Sequence, residues 1–544
     1  MQGNEKKRSI IVLEYSNVNS LNLTSLKEPV INLNSQIQNH GVLLVLQEPE
    51  LNILQVSRNA ASILDCPLES LLEKNLEDLL DPYQIGRIKS RLAEDSLDFT
   101  NPTKIWIKKR REEYAVFDAV FHRNSEGILI LELEPAISEN NIPFLSFYHL
   151  AKASIYQLQE SANLQDYCQI IVETVRKVTE FDRVMLYKFN QDGHGCVLAE
   201  DKLESMEPYL GLNFPESDIP KPARKMFLSN LIRLIPDAQE EPIEIFPVLN
   251  PITERPVDLI NSTLRSPYPC HVEYLHNMGV GASLTISLIK EGRLWGLIAC
   301  HHQTPKYVSY ELRKACEFLG RMIFSEISTR EETEDYDYRM KLTSIQSSLI
   351  DYMSQEDNFI SGLIKHQPSL LDLTSAQGAV ICFSGNYTFI GQTPKQEDLN
   401  DLVTWLQKNV EEEVFYTNSL PEIYPDAEKF KNIASGLLAI PIGKMNYVLW
   451  FRPEVIQTVN WGGNPNQAFV INEEEGNLRL CPRKSFELWK ETVRLTSLPW
   501  QHVEIKAALE LRKAIVNIVL RQAEELALLA ADLERSYAEL NKFA

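Results

Sequence analysis

The sequence predicts an α+β protein of three tandem domains joined by long helices. Its 544 residues exceed what one hydrophobic core usually holds. Short β-like runs surround helical segments along most of the chain. By contrast, two helical patterns, from about Arg313 to Gln355 and from about Val503 to Phe543, run longer than most globular helices. We therefore expect the first of them to act as a connecting spine.

Changes of pattern divide the chain into five segments. Residues 1–30 are polar and weakly patterned, and we expect them to form an arm. The run Asn140-Asn141-Ile142-Pro143 is typical of a domain boundary. The expected segments after the arm are a first domain at 31–140, a second at 141–326, a third at 327–502 with an insertion at about 451–492, and a C-terminal helix at 503–544.

The C-terminal helix carries a heptad pattern. Residues three and four apart recur in the order Val519, Gln522, Leu526, Leu529, Leu533, Ser536, Leu540 and Phe543. This period favours a left-handed coiled coil, and hence a homodimer formed through this helix and the spine. An amphipathic helix packed against its own domain is the alternative.

Composition excludes several classes of function. The net charge is −21 without a basic stripe, which disfavours nucleic acid as a partner. The eight cysteines are dispersed and form no CxxC pair, so neither a disulfide framework nor a metal site is expected. Without a signal peptide or an apolar run of membrane length, we expect a cytoplasmic location and no membrane contact. Neither common nucleotide-binding glycine motif occurs, so ATP chemistry is not expected in this segment.

Cys270 is the strongest candidate for covalent chemistry. Two prolines precede a short helical stretch that Gly279 closes, which places Cys270 in the first helical turn. The positive end of a helix favours a thiolate. The following strand alternates small polar residues, among them Ser283 and Thr285, with apolar ones. This arrangement predicts a ligand that is both covalently held and hydrogen-bonded, whereas a buried structural cysteine is the alternative.

Five motifs in order resemble those of one family. They are Asp218-Ile219-Pro220-Lys221-Pro222-Ala223-Arg224, Leu264-Arg265-Ser266, Cys270-His271, Trp295-Gly296-Leu297-Ile298-Ala299-Cys300-His301-His302 and Pro482-Arg483-Lys484-Ser485-Phe486. Together they resemble the photosensory module of cyanobacterial phytochromes that carry phycocyanobilin. The resemblance covers nearly the whole chain and implies PAS, GAF and PHY domains, each an antiparallel sheet flanked by helices. It also implies a figure-eight knot between the N-terminal arm and the GAF domain, and a tongue hairpin extending from the PHY domain.

The resemblance assigns roles around a linear tetrapyrrole, or bilin. Cys270 would form a thioether with ring A. Relatives that bind biliverdin attach it in the N-terminal arm, where this chain has no cysteine before Cys66, so phycocyanobilin is the expected cofactor. The main chain of Asp218, together with His271, would hydrogen-bond the pyrrole nitrogens. Arg233 and Arg265 would hold one propionate, and Ser283 and Thr285 the other.

Further roles concern ring D and the tongue. His301 would face the ring D carbonyl, and Tyr187 and Tyr274 would wall the space in which ring D rotates. Phe214 stands where many family members have Tyr, so one hydroxyl near ring D is missing. Ile219 and Pro220 complete the motif around Asp218. In the tongue, Arg483 would pair with Asp218 in the dark state, and Ser485 belongs to the same link.

Hairpin geometry offers a test that does not depend on the resemblance. A three-residue Lys290-Glu291-Gly292 loop, with Gly292 in the left-handed region, would place Ser283 and His301 on one face of the sheet. A two-residue Glu291-Gly292 turn would place them on opposite faces. A pocket shared by both residues therefore predicts the three-residue loop.

The implied function is a red/far-red photoreceptor rather than an enzyme, apart from the attachment of its own chromophore. A C-terminal output, expected to be a histidine kinase acting on a response regulator, would follow this segment. One rival is a light-independent GAF regulator that binds a small ligand such as a cyclic nucleotide. Another is a thiol enzyme that uses Cys270, but adjacent helical residues such as Cys270 and His271 point about 100° apart and do not form a dyad. Neither rival explains the combination of motifs.

Overall fold

The computed structural model describes residues 35–72, 74–93, 101–109, 114–136, 152, 164–190, 192–356, 358–410, 412–465, 470–474, 477–481 and 485–543. The chain divides into two compact units, one of Met1–Ser328 with Asn460–Lys490 and the other of Thr329–Val459 with Glu491–Ala544. Among the described helices, none is both long and apolar enough to cross a membrane. The N-terminal arm and Arg483 lie outside the described residues, so the knot and the Arg483 link stay predictions.

The first unit begins with an antiparallel sheet. Its early strands are β1 (Gln36–Ile37), β2 (Val42–Gln47), β3 (Asn52–Ser57), β4 (Thr103–Lys108), β5 (Tyr114–Arg123) and β6 (Leu129–Pro135), with helices α1 (Ala60–Ile63), α2 (Leu68–Leu72) and α3 (Pro82–Leu92). Helix α3 starts where Asp81 caps the amide of Gln84 and Pro82 takes the first position. The sheet order is β1-β11-β3-β2-β6-β5-β4, so one strand, β11, comes from the next part of the chain.

A second antiparallel sheet contains the candidate site. Its part of the chain comprises α4 (Leu164–Thr179), β7 (Arg183–Phe189), β8 (Gly195–Lys202), β9 (Asn213–Phe214), α5 (Lys221–Ser229), β10 (Ile232–Ile235), β11 (Ile243–Phe246), α6 (Pro269–Asn277), β12 (Ala282–Lys290), β13 (Arg293–His302) and α7 (Tyr310–Gln355). Helix α4 and the start of α7 cover one face with a core that includes Val172, Leu284 and Leu319. Strands β10, β12, β13, β7, β8 and β9 are neighbours in that order.

The β12–β13 hairpin corrects one prediction. Lys290 pairs with Arg293, so Glu291 and Gly292 form a two-residue turn, with φ of 50° and 74°. The expected three-residue loop is therefore wrong. A β-bulge opposite Leu288 and Ile289 adds Trp295 to β13 and shifts the register by one residue. Ser283 consequently pairs directly with His301, and both lie on one face of the sheet.

The second unit contains a five-stranded antiparallel sheet ordered β15-β14-β18-β17-β16. Its elements are α8 (Phe359–Ile364), β14 (Gly378–Phe383), β15 (Asn386–Gly391), α9 (Gln396–Asn409), β16 (Phe415–Thr417), α10 (Leu420–Ile423), α11 (Lys431–Ala434), β17 (Gly436–Gly443), β18 (Asn446–Arg452) and, after the tongue, α12 (His502–Phe543). Helices pack on both faces, with Trp450 in one core and Phe451 in the other.

The tongue segment supplies the last strands, β19 (Gln457–Gly462), β20 (Val470–Glu474), β21 (Asn477–Cys481) and β22 (Leu488–Val493). Strands β20 and β21 form a two-stranded antiparallel hairpin. Strand β19 pairs with β9 in parallel at Trp461 and Asn213, which extends the second sheet. The mixed α/β architecture with antiparallel sheets is thus confirmed.

The first part of the C-terminal helix α12 packs on its own domain, whereas its later part is exposed. Ala508, Leu511 and Ile515 lie in the core of the second unit, as expected of a helix packed on its own domain. Farther along, Leu526, Leu529 and Leu533 are 67%, 66% and 65% exposed. The coiled coil stays a prediction for that exposed part.

Candidate functional site

Cys270 occupies the second position of helix α6. Tyr268 precedes the helix in an extended conformation and Pro269 takes its first position. The helix ends at Asn277, and Gly279 follows its cap with a φ of 70° that glycine readily adopts. Cys270 is exposed, whereas Cys168, Cys300 and Cys316 are buried. Its local structure is therefore that of an accessible thiol at a helix start.

The thiol faces a cavity of about 310 Å³ between α5, α6 and strands β10 and β12. This volume lies at the lower end of the range for cofactor sites. Ten predicted residues line it: Asp218, Ile219, Pro220, Arg233, Arg265, Cys270, His271, Tyr274, Ser283 and Thr285. The sheet and the two helices thus bring together motifs that are far apart in the sequence.

Two arginines form the cationic wall of the cavity. Arg233 lies on β10 directly opposite Thr285 on β12. Its guanidinium donates to the main-chain carbonyl of Arg265, while Nη1 of Arg233 and Nε of Arg265 have no hydrogen-bond partner. Burial and the neighbouring Arg265 lower the pKa of Arg233 to about 9. No described carboxylate forms an ion pair with either group, so the wall favours an anionic ligand.

Two histidines lie near this wall, of which His301 is buried and His271 half-buried. Burial and then the charge of Arg233 lower the pKa of His271 to about 4. Burial, followed by the charges of Arg183 and His271, lowers the pKa of His301 to about 3. Nδ1 of His301 is buried without a hydrogen bond. Both imidazoles are therefore neutral at neutral pH and available to hydrogen-bond a ligand.

An aromatic cluster adjoins the cavity. Tyr187 and Phe214 are buried with ring centroids 6.1 Å apart, and they pack with Phe486 of the tongue. The ring of Tyr274 meets that of Phe486 edge to face at 5.0 Å, and its hydroxyl donates to Asp218 Oδ2 at 3.0 Å. Tyr187, Phe214 and His301 thus lie beside the cavity rather than among its lining residues.

The first arm of the tongue packs directly on Phe214. Asn213 Nδ2 donates to the main-chain carbonyl of Asn460 at 3.2 Å. A Cβ atom at Gly462 would lie 2.8 Å from the Cε1 and Cζ atoms of Phe214, so this approach requires glycine. Ser485 is exposed. Arg483 lies outside the described residues, and the observed neighbour of the Asp218 carboxylate is Tyr274.

Comparison with known proteins identifies the family. A PAS-fold model matches residues 26–136, a GAF-domain model matches 163–330 and a phytochrome-region model matches 342–524. The chain is 74% identical over 525 residues to cyanobacterial phytochrome A of Nostoc sp., covering 96% of this chain and 69% of that protein. The chain belongs to the phytochrome family.

Other phytochromes show the same relationship. The phytochrome-like protein Cph1 of Synechocystis sp. is 55% identical over 508 residues, which cover 93% of this chain and 68% of that protein. The photosensory core module of the Stigmatella aurantiaca phytochrome has a TM-score of 0.77 at 42% identity, covering 90% of this chain and 99% of that one. A bacteriophytochrome of R. palustris has a TM-score of 0.79 at 36% identity, covering 90% of this chain and 97% of that one. The chain is thus a phytochrome photosensory module, and phytochromes are photoreceptors that bind a bilin.

The unpaired polar atoms of the phytochrome cavity fit such a chromophore. A bilin carries two propionates, pyrrole N–H groups and terminal carbonyls. The unpartnered nitrogens of Arg233, Arg265 and His301 provide guanidinium and imidazole groups of the kind that bind carboxylates and carbonyls. The residues present therefore suit the group that the family binds.

Two neighbouring residues were not singled out from the sequence. Tyr268 lines the cavity, and the centroid of its ring lies 5.9 Å from the guanidinium carbon of Arg265. Phe486 is 8% exposed and closes the aromatic cluster. Tyr268 lies three residues from Arg265, and Phe486 lies next to Ser485. Their proximity to the motifs is the signal that could have found them.

Proposed function

We propose that this phytochrome module binds phycocyanobilin through a thioether to Cys270 and switches between red- and far-red-absorbing states. The observation that carries the proposal is the exposed Cys270 thiol at a helix start, on a cavity whose two arginines form no ion pair with any carboxylate of the described residues. The bound bilin would supply visible absorption and a light-driven double-bond isomerisation. The protein would bind and orient the bilin and couple its isomerisation to the tongue.

The residues around the cavity divide into three tasks. Arg233 and Arg265 hold one propionate by charge-assisted hydrogen bonds, and Ser283 and Thr285 donate to the other. The main chain of Asp218 and the ring of His271 hydrogen-bond the pyrrole nitrogens. His301 donates to or accepts from the ring D end, which Tyr187, Tyr274 and Phe214 enclose. Ile219 and Pro220 shape the wall beside Asp218.

The tongue reports the state of the pocket. In the proposal, Arg483 pairs with Asp218 in the dark state, Ser485 joins that link, and light breaks it so that the tongue refolds. The contact of Tyr274 with both Asp218 and Phe486 supports this coupling, because it joins the cavity wall to the tongue. Such a switch is a shift of population between two arrangements with different contacts.

The output lies beyond the photosensory segments. We infer a cytoplasmic homodimer formed through α7 and α12, whose exposed leucines at 526, 529 and 533 support such an interface. A histidine kinase that passes phosphate to a response regulator would follow α12. The module itself performs no catalysis beyond attaching its own chromophore.

The deciding experiment mixes purified apoprotein with phycocyanobilin, denatures one portion to look for a zinc-fluorescent covalent band, and illuminates the rest with alternating red and far-red light. We expect a covalent band and reversible spectra. Cys270→Ala should abolish the band while weak binding persists. Cys196→Ala, which changes a cysteine of strand β8 in the same domain, serves as the control. A wild-type band from Cys270→Ala would refute the attachment site. Absence of adduct and colour would favour a light-independent GAF regulator.

A further inference from the structure

The segment Thr263–Ser266 holds the cationic wall of the cavity in place. Arg265 belongs to it, and the carbonyl of Arg265 accepts a hydrogen bond from the guanidinium of Arg233. The same segment is bound on its other side by β1, since Gln38 N donates to the Leu264 carbonyl at 2.8 Å and Ser266 N donates to the Gln36 carbonyl at 2.9 Å. The position of this main chain therefore determines where both guanidinium groups lie.

One carboxylate of the first sheet binds that segment directly. Glu132 on β6 is fully buried. Its oxygens accept from Thr263 N at 3.0 Å, Thr263 Oγ1 at 2.9 Å and Leu264 N at 2.6 Å. His122 Nε2 lies 2.9 Å from Glu132 Oε1 and completes the set. Burial acts to raise the pKa of Glu132, but these hydrogen bonds outweigh it and leave the pKa below its ordinary value.

Close packing leaves the segment little freedom to move. A Cβ atom at Gly41 would lie 2.7 Å from one methyl carbon of Leu264 and 2.9 Å from the carbonyl oxygen of Leu133. Leu264 is itself fully buried in a cluster with Ile37 and Leu43. A displacement of Thr263 and Leu264 would thus pass to Arg265 rather than be absorbed locally.

We propose that Glu132, a residue of the PAS sheet, is a positioning residue for the anion-binding arginines of the GAF cavity. It forms no hydrogen bond or ion pair with either arginine, although its charge acts to raise the pKa of Arg233. Its direct hold is on the main chain of Thr263 and Leu264. The inference rests on the proposed function in one respect, namely that Arg233 and Arg265 hold a propionate. The PAS domain therefore helps to set the affinity of the GAF cavity for carboxylates.

The test compares phycocyanobilin with its dimethyl ester, in which both propionates are uncharged. The rate of chromophore assembly is measured against concentration, which separates the half-saturating concentration from the limiting rate. For Glu132→Gln we expect the half-saturating concentration of the free acid to rise about tenfold, because misplaced guanidinium groups lose charge-assisted bonds. That of the ester should stay as in the wild type.

Glu134→Gln is the matched control. Glu134 lies two residues along the same strand, is equally buried and pairs with Arg313 of α7 instead of the Thr263–Ser266 segment. This variant should leave the ratio of the half-saturating concentrations of free acid and ester unchanged, even if it lowers thermal stability. His122→Gln, which keeps the Glu132 carboxylate but removes its imidazole partner, should give a smaller change in the same direction.

The outcomes separate the two proposals. If Glu132→Gln raised the half-saturating concentrations of free acid and ester equally, Glu132 would be a structural residue and the inference would be overturned. Half-saturating concentrations that stay as in the wild type for both compounds would overturn it as well. If the wild type itself binds acid and ester alike, the role proposed for Arg233 and Arg265 fails, and the inference fails with it.

Discussion

Arg233 and Arg265 share one buried cavity, and neither guanidinium forms an ion pair with a carboxylate among the described residues. Burial of a charge without a partner costs free energy of folding, which native proteins tolerate mainly at functional sites. The lowered pKa of Arg233, at about 9, reflects that cost through burial first and the repulsion of Arg265 second. At the scale of single residues, we therefore expect Arg233 to lower the stability of the apoprotein, as a residue kept for binding an anion would.

This trade-off is testable with Arg233→Met. The variant removes a half-buried cation that has no carboxylate partner among the described residues, while keeping an extended side chain. The apoprotein should therefore gain about 1–2 kcal/mol of stability. The rise in melting temperature on adding phycocyanobilin should shrink, because a propionate loses its partner. Both are measured by thermal unfolding with and without bilin.

Arg313→Met provides the contrast for that measurement. Arg313 is also buried but pairs with Glu134. Its removal leaves a buried carboxylate unpaired and should destabilise the apoprotein by about 3–5 kcal/mol. If Arg233→Met destabilised the apoprotein as much as Arg313→Met, the view of Arg233 as an uncompensated charge would be wrong.

At the scale of elements, the tongue meets the second sheet through strand β19. The Trp461–Asn213 pairing and the Asn213–Asn460 hydrogen bond align its main chain. Gly462 lies against the ring of Phe214, which is held by Tyr187 and Tyr209 at centroid distances of 6.1 and 6.0 Å. Phe214, the departure from the family pattern, is thus part of the docking surface for the tongue.

Gly462→Ala should loosen this docking. The added methyl group would overlap Phe214, whose neighbours prevent it from swinging away, at a cost of about 1–3 kcal/mol. Hydrogen exchange of the amides in residues 457–462 should accelerate in the apoprotein, whereas exchange in β14 should not change. Phe214→Val in the Gly462→Ala background should restore protection, and failure of that rescue would contradict the proposed overlap.

At the scale of the whole first unit, we expect three histidines to link its stability to pH, of which His301 is buried and His40 and His271 are half-buried. Burial is the main cause that lowers the pKa of His40 and His271 to about 4 and that of His301 to about 3. The unfolded chain takes up protons near the ordinary pKa of 6.5, whereas the folded chain does not until the pH approaches 4. The unfolded state therefore binds more protons in that interval, and stability falls as the pH is lowered from about 6.5 to 4.

We expect the urea midpoint of the apoprotein to fall between pH 7 and pH 5. His301→Gln should make the decline shallower, because it removes one of the three linked groups. His276→Gln, at an exposed position of α6, is the control and should keep the wild-type slope. An equal slope in all three proteins would show that His301 does not contribute to the linkage.

Much of the site followed from local sequence. The Pro269 start and the Gly279 end of α6 place Cys270 in the first turn whatever the rest of the fold does. The alternation of Ser283 and Thr285 with apolar residues likewise marks one face of a strand. The hairpin turn was predicted wrongly because the bulge at Trp295 depends on pairing across the whole β12–β13 ladder, which local turn propensity does not report.

The sequence by itself determined the order of the domains, the position of Cys270 at a helix start and the family, since these depend on local pattern and on motifs. Only the tertiary structure decided that Glu132 binds Thr263 and Leu264, and that Gly462 lies on Phe214. The physical reason is separation along the chain. Hydrogen bonds and packing between residues more than a hundred positions apart depend on how sheets and helices assemble, and no short-range periodicity carries that information.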